Sequence, residues 1–155
     1  NVAAIFAAFG GAKVYIMSRD MNKSMSAVEQ AKKSVRADAI GALLYPVDYT
    51  SFEKCVAESD LVFESVAENL AIKKDITSRI AKSLRKDAIA CSGTSGLSIT
   101  QLAECFPEEL SSNYFGVHMF NPPYNMTLCE LIPTKYSDEK PVVIKIMSNI
   151  KSKWF

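Results

Sequence analysis

DLVFESVAENLAIKKDITSRIAKSLRKDAIACSGTSGLSITQLAEC, residues 60–105, decides the fold. It opens with an apolar run of β-formers that predicts a strand over residues 60–66. Ile72, Ile76 and Ile80 then recur at helical spacing, with Lys73, Lys74, Arg79 and Lys82 on the solvated side, so residues 71–84 are expected to be helical. Residues 88–91 form a second short apolar run, read as a buried strand that ends in Ser92-Gly93-Thr94-Ser95-Gly96. Ser98 then caps a helix over residues 99–105, which Pro107 closes. Strand and helix in alternation, joined by short links, call for parallel strands, because each helix carries the chain back across the sheet.

The flanks repeat the pattern. Residues 2–9 are Ala-rich and apolar all round, a helix buried on most sides and ended by Gly10-Gly11. KVYIM (13–17) predicts a buried strand, and residues 21–37 an amphipathic helix with its basic end at the C-terminus. Residues 43–47 read as a weak strand that Pro46 places at an edge, and Ser51 opens a short helix. YFGVHMF (114–120) is a strand stopped by Asn121-Pro122-Pro123, TLCELI (127–132) another stopped by Pro133, and a last helix follows from Asp138. The expected class is α/β with a doubly wound, mostly parallel sheet. Ligands of such sheets sit beyond the C-terminal strand ends, so the polar residues following each strand are the candidates.

Composition narrows the function classes. Eighteen Lys+Arg against seventeen Asp+Glu leave a net charge of +1, which gives no support for binding nucleic acid. The longest apolar run, residues 2–12, is too short to span a bilayer. The four cysteines form no CxxC pair and there is one histidine, so no metal site is expected; reduced thiols in a reducing compartment, cytoplasm or organelle matrix, are the reading. The chain starts with Asn and lacks a basic lead-in, which reads as the middle of a domain.

His118 lies near the end of one predicted strand, and Glu130 interrupts the next on the same face as Leu128 and Ile132. A carboxylate among apolar neighbours needs a partner, and the single histidine is a natural one. Glu130 would accept a ring N–H and leave the other nitrogen free, the arrangement a general base uses. The alternative is a core histidine and a glutamate facing water. Ser92–Gly96 reads either as a capped loop or as a cradle of small hydroxyls for a ligand, and Glu68-Asn69 either as a helix cap or a ligand contact.

Taken together, DLVFESVAENLAIKKDI, SGTSGLSITQLAE and FGVHMFNPPYNMTLCELIPT resemble, over residues 11–140, the cofactor-binding domain of the 3-hydroxyacyl-CoA dehydrogenases of fatty-acid β-oxidation. HMFNPP, with a glutamate twelve residues after the histidine, is the specific part. The resemblance implies a Rossmann-like fold incomplete at the N-terminus, with residues 1–140 a truncated dinucleotide-binding domain and 141–155 a helix leading toward a further, C-terminal domain. It implies NAD as cofactor, an acyl-CoA substrate and a homo-oligomer when intact. It makes His118 the catalytic base with Glu130 behind it, and Ser95 and Asn121 substrate contacts. Glu68 and Lys73 would line the nicotinamide-ribose side.

Several positions depart from the family pattern. The first strand and its GxGxxG turn are missing from these residues. Where an acid usually meets the ribose hydroxyl the chain has Ser18 and Arg19, with Asp20 two places late. Ser18 and Arg19 are thus the cofactor-facing candidates, and they would suit the 2′-phosphate of NADP; a register shift would instead let Asp20 serve NAD. Gly93 replaces a common asparagine and Gly96 a common serine. The expected activity is NAD(P)-dependent oxidation of a 3-hydroxyacyl-CoA. Its rivals are a Rossmann-like module that only packs or binds partners, and a β-hydroxyacid dehydrogenase of free acids, which would use a lysine base.

Overall fold

The computed structural model describes residues 2–120 and 128–137, which fall into two compact units. The first unit contains α1 (Val2–Ala8), β1 (Val14–Ser18), α2 (Met21–Val35), a 3-10 helix (Asp38–Leu43), β2 (Leu44–Asp48) and a short 3-10 turn (Tyr49–Ser51). β1 and β2 pair in parallel from Val14↔Leu44 to Ser18↔Asp48. Small residues allow close approach of the helices: Ala4 and Ala7 of α1 meet Ala31 of α2, with Ile40 and Leu44, in one buried cluster. Pro46 has no amide hydrogen to give, and β2 has β1 as its one partner among the described residues, as an edge strand would.

Two local stops differ in legibility. Gly11, at φ 62, turns the chain after α1 in the left-handed conformation, which a glycine adopts without strain. α2 was expected to run to residue 37 but ends at Val35, because Arg36 itself takes φ 50 and returns its amide to Lys32 and Lys33. No glycine announces that stop.

The second unit carries α3 (Phe52–Glu58) from Glu53 onward, β3 (Leu61–Glu64), α4 (Leu70–Ser83), β4 (Ile89–Ser92), α5 (Ile99–Ala103), α6 (Glu108–Ser111), β5 (Tyr114–Met119) and β6 (Cys129–Ile132). Its sheet has the order β3-β4-β5-β6, with the first three strands parallel and β6 antiparallel to β5. α6, the four residues that directly follow Pro107, is an element the sequence did not lead one to expect. The last predicted helix, from residue 138, and residues 141–155 lie outside the described residues.

β4 is buried along its whole length, as an apolar central strand should be. β5 is buried from Tyr114 to Val117 and opens to solvent only at His118 and Met119. Burial also pushes the Cys91 thiol far above its ordinary range, so Cys91 is a packing residue and no nucleophile. α5 sits directly on β5 at Gly116, where a Cβ would come within 2.7 Å of Ile99 Cγ1 and 2.9 Å of Ile132 Cβ. Gly116→Ala is therefore expected to destabilise the fold by about 1–3 kcal/mol through overpacking, read as a lower urea midpoint.

Candidate active site

The site lies in the second unit, at the C-terminal ends of β3, β4 and β5. Antiparallel pairing sets His118 directly opposite Glu130. His118 Nδ1 lies 3.0 Å from Glu130 Oε2, and His118 Nε2 lies 3.1 Å from the Ser95 hydroxyl. An ionised carboxylate only accepts, so Nδ1 is the donor to Glu130, and in the neutral imidazole this leaves Nε2 to accept the Ser95 hydrogen. His118 is 26% exposed and Glu130 54%. Glu130 thus reaches His118 across an open strand face rather than from within an apolar one, and cross-strand register, not desolvation, brings the two together.

Behind this pair lies a second set of polar groups. Glu64, at the buried end of β3, accepts from Ser92 Oγ (2.6 Å), the Val66 amide (2.6 Å) and Lys73 Nζ (2.8 Å). Lys73 and Glu64 side chains are each 1% exposed. Here the sequence reading is corrected: Lys73 is buried, and Ile72, assigned to the stacked apolar face, is 46% exposed. The Glu64 carboxylate needs a cation, and α4 turns to supply one. Asn69 caps α4 by accepting the Ile72 amide at 3.1 Å, so the Glu68-Asn69 pair divides its duties.

Glu68 faces the other way, onto the loop between β4 and α5. Its Oε1 accepts from the Thr94 hydroxyl and from the Ser95 and Gly96 amides, both at 3.2 Å, while Oε2 lies 3.5 Å from Lys73 Nζ. The Thr94 hydrogen bond above all, then the Gly96 amide, Lys73 and the Ser95 amide, hold this carboxyl below the usual range against a smaller cost of burial.

Ser95, His118, Glu130, Glu68 and Lys73 are brought into one connected set. Ser18 and Arg19 belong to the first unit, at the end of β1. The Ser18 hydroxyl donates to Asp20 O at 2.6 Å, and Asp20 caps α2 by accepting the Asn22 amide at 2.9 Å. Asn121 lies outside the described residues. Ser92 and Thr94 were flagged only as members of the Ser92–Gly96 loop, and Glu64 was not singled out by sequence; the available signal for it was a carboxylate closing an apolar strand, the same argument that flagged Glu130.

The residues suit the nicotinamide-ribose end of a dinucleotide. A Cβ on Gly96 would meet nothing within 4 Å, so the loop is open at that position, and the half-exposed Glu68 carboxylate offers an acceptor to a ribose hydroxyl. Gly93 is different: a Cβ would come within 2.8 Å of Phe63 Cζ, so the Phe63 ring fills the place an asparagine side chain would need.

A mostly parallel sheet with polar side chains gathered beyond the C-terminal strand ends is the form that nucleotide-binding α/β domains take. The chain belongs to the family of the 3-hydroxyacyl-CoA dehydrogenase NAD binding domain, whose model matches residues 1–153, and NAD is the cofactor that this family indicates. It is 35% identical over 91 residues to a protein of Bacillus subtilis named "Probable 3-hydroxyacyl-CoA dehydrogenase", covering 59% of this chain and 11% of that one. It is 37% identical over 90 residues to the fatty acid oxidation complex subunit alpha of Psychrobacter arcticus, covering 58% of this chain and 12% of that protein. In fold it is similar to (S)-3-hydroxybutyryl-CoA dehydrogenase from Ralstonia eutropha, with a TM-score of 0.83, 24% identity, and coverage of 96% of this chain and 56% of that one. The chain thus spans between a tenth and a fifth of the length of the curated relatives it matches. Among the described residues no helix is long and apolar enough to cross a membrane, and no cluster of metal-ligating side chains occurs.

Two predictions rest on this geometry. Lys73→Ala strands the Glu64 carboxylate in a dry site and should cost about 3–5 kcal/mol in urea unfolding. The Glu68 carboxyl, held below its ordinary 4.5 when folded, contributes stability in full above that pH and loses it as pH falls through the lower folded value. Glu68→Gln should therefore flatten the decline in thermal midpoint below pH 4.5, and an unchanged acid limb would contradict the assignment.

Proposed function

We propose that the protein oxidises a 3-hydroxyacyl-CoA to the 3-oxoacyl-CoA with NAD, and that His118 is the general base. The observation that carries the reading is the line Glu130–His118–Ser95, with Nε2 turned toward a serine hydroxyl at the open end of β5. A substrate 3-hydroxyl seated within hydrogen-bond distance of both Nε2 and Ser95 Oγ gives its proton to Nε2. Ser95 donates to the same oxygen as it becomes a carbonyl. Glu130 meets the imidazolium that forms and keeps the ring in the required tautomer. NAD, when bound, supplies the hydride acceptor for carbon 3. Proton to His118 and hydride to cofactor together balance the oxidation.

Glu68 would face the nicotinamide ribose, with Lys73 acting through Glu68, since Lys73 itself is enclosed. Ser18 and Arg19 would face the adenosine end, and Asn121 the substrate. The family match supports the reaction class, and the hydroxyl-rich loop beside a partly exposed histidine supports the roles. Both activity and acyl-CoA substrate are proposed at the level of the whole protein, as is residues 1–140 forming its dinucleotide-binding domain.

His118→Ala should lower kcat on the order of 100-fold or more while NADH binding, followed by its fluorescence, stays near wild type. Wild-type turnover in this variant would remove His118 from the mechanism. Failure of wild-type protein to bind NADH would favour a packing or partner-binding module instead.

A further inference from the structure

The loop that presents Ser95 has no regular secondary structure, so something else must fix it. Its backbone donors can be followed one by one. The Gly93 amide donates to Glu64 O at 2.9 Å, and the Thr94 amide to Ser92 Oγ at 3.3 Å, which itself donates to the Glu64 carboxylate. The Ser95 and Gly96 amides both donate to Glu68 Oε1, and the Leu97 amide donates to Thr94 Oγ1 at 3.1 Å, whose own hydrogen goes to Glu68. Every amide from Gly93 to Leu97 therefore ends, directly or through one hydroxyl, on Glu64 or Glu68. Lys73 Nζ touches both carboxylates. Consecutive amides converging on an acceptor form an anion-binding hollow, and here the protein's own side chain fills it.

We propose that Glu68, backed by Lys73 and Glu64, is a positioning residue that wraps the 93–97 loop around its carboxylate and so sets the Ser95 hydroxyl against His118 Nε2 before any cofactor arrives. The inference rests on reading Ser95 and His118 as the reacting pair. It differs from a role in touching the cofactor alone, because it requires an effect in the free protein. A half-exposed carboxylate whose function was cofactor contact only would leave one oxygen's worth of loop amides to other acceptors; this one takes them. The arrangement also explains why a lysine and a glutamate are buried together beneath an exposed loop: they hold Glu68 in register from behind.

The test uses the 15N-labelled chain without cofactor. It contains one histidine, so the imidazole signals belong to His118. Ser95→Ala first fixes how far the Nε2 signal moves when the hydroxyl is lost. Glu68→Ala should reproduce most of that displacement and raise hydrogen exchange at the Ser95 and Gly96 amides on the order of tenfold, as loss of their acceptor requires. Glu68→Gln keeps a side-chain oxygen for the same donors and should leave Nε2 close to wild type. Thr94→Val, which removes one donor without changing shape, should displace Nε2 in the same direction as Glu68→Ala and serves if that variant does not fold. An Nε2 signal at its wild-type position in Glu68→Ala or Thr94→Val, with Ser95→Ala displaced, overturns the positioning role alone. An unmoved signal in Ser95→Ala itself overturns the Ser95–His118 pair, and this inference with it.

Discussion

Glu64 places a carboxylate where water does not reach, at the end of β3, and a buried charge must be matched in full or it unfolds its surroundings. Three consequences follow in the structure. α4 turns so that Lys73 faces inward and Ile72 outward. The turn after β3 is pinned through the Val66 amide and carbonyl, to Glu64 and Lys73 respectively. Ser92 is drawn to the same carboxylate, which fixes the end of β4 relative to β3 beyond what their ladder provides. An apolar trio of similar volume would fill the space, but it would not specify where the following loop goes.

From that anchored base the polar groups lead outward from enclosed side chains to ones that solvent reaches. Lys73 and Glu64 are enclosed, Glu68 is half-exposed, and Ser95, His118 and Glu130 stand at the open end of the sheet. The order has a physical logic. Rigid, fully satisfied polar contacts position groups that must meet a substrate, whereas groups that exchange protons need access. His118 is held from two sides by different means: cross-strand register delivers Glu130, and a carboxylate-bound loop delivers Ser95.

Much of this was legible in the sequence. Among the described residues, alternating apolar runs gave away the type and order of the six strands and of α1 to α5, because period and length distinguish strand from helix when each run is short and bounded by turn residues. The His118–Glu130 pair was suggested by a glutamate interrupting an apolar run and by the single histidine near the end of the strand before it, and the family resemblance favoured it over a core histidine with a solvated glutamate. Lys73 was not legible, since helical spacing cannot tell a solvated lysine from one drawn inward by a carboxylate on a different element. The Arg36 stop escaped for a related reason: a left-handed turn without glycine leaves no mark in composition. The Gly93 departure from the family pattern makes sense only beside Phe63, a neighbour thirty residues away in sequence whose ring takes up the vacated volume.

The central claim is that this geometry serves a proton and hydride exchange at carbon 3 of an acyl thioester. It is tested most directly by following NADH consumption by the protein with acetoacetyl-CoA and, in parallel, with free acetoacetate. The account predicts saturable oxidation of NADH with the thioester and little with the free acid. No consumption with the thioester, or equal rates with both, would contradict it.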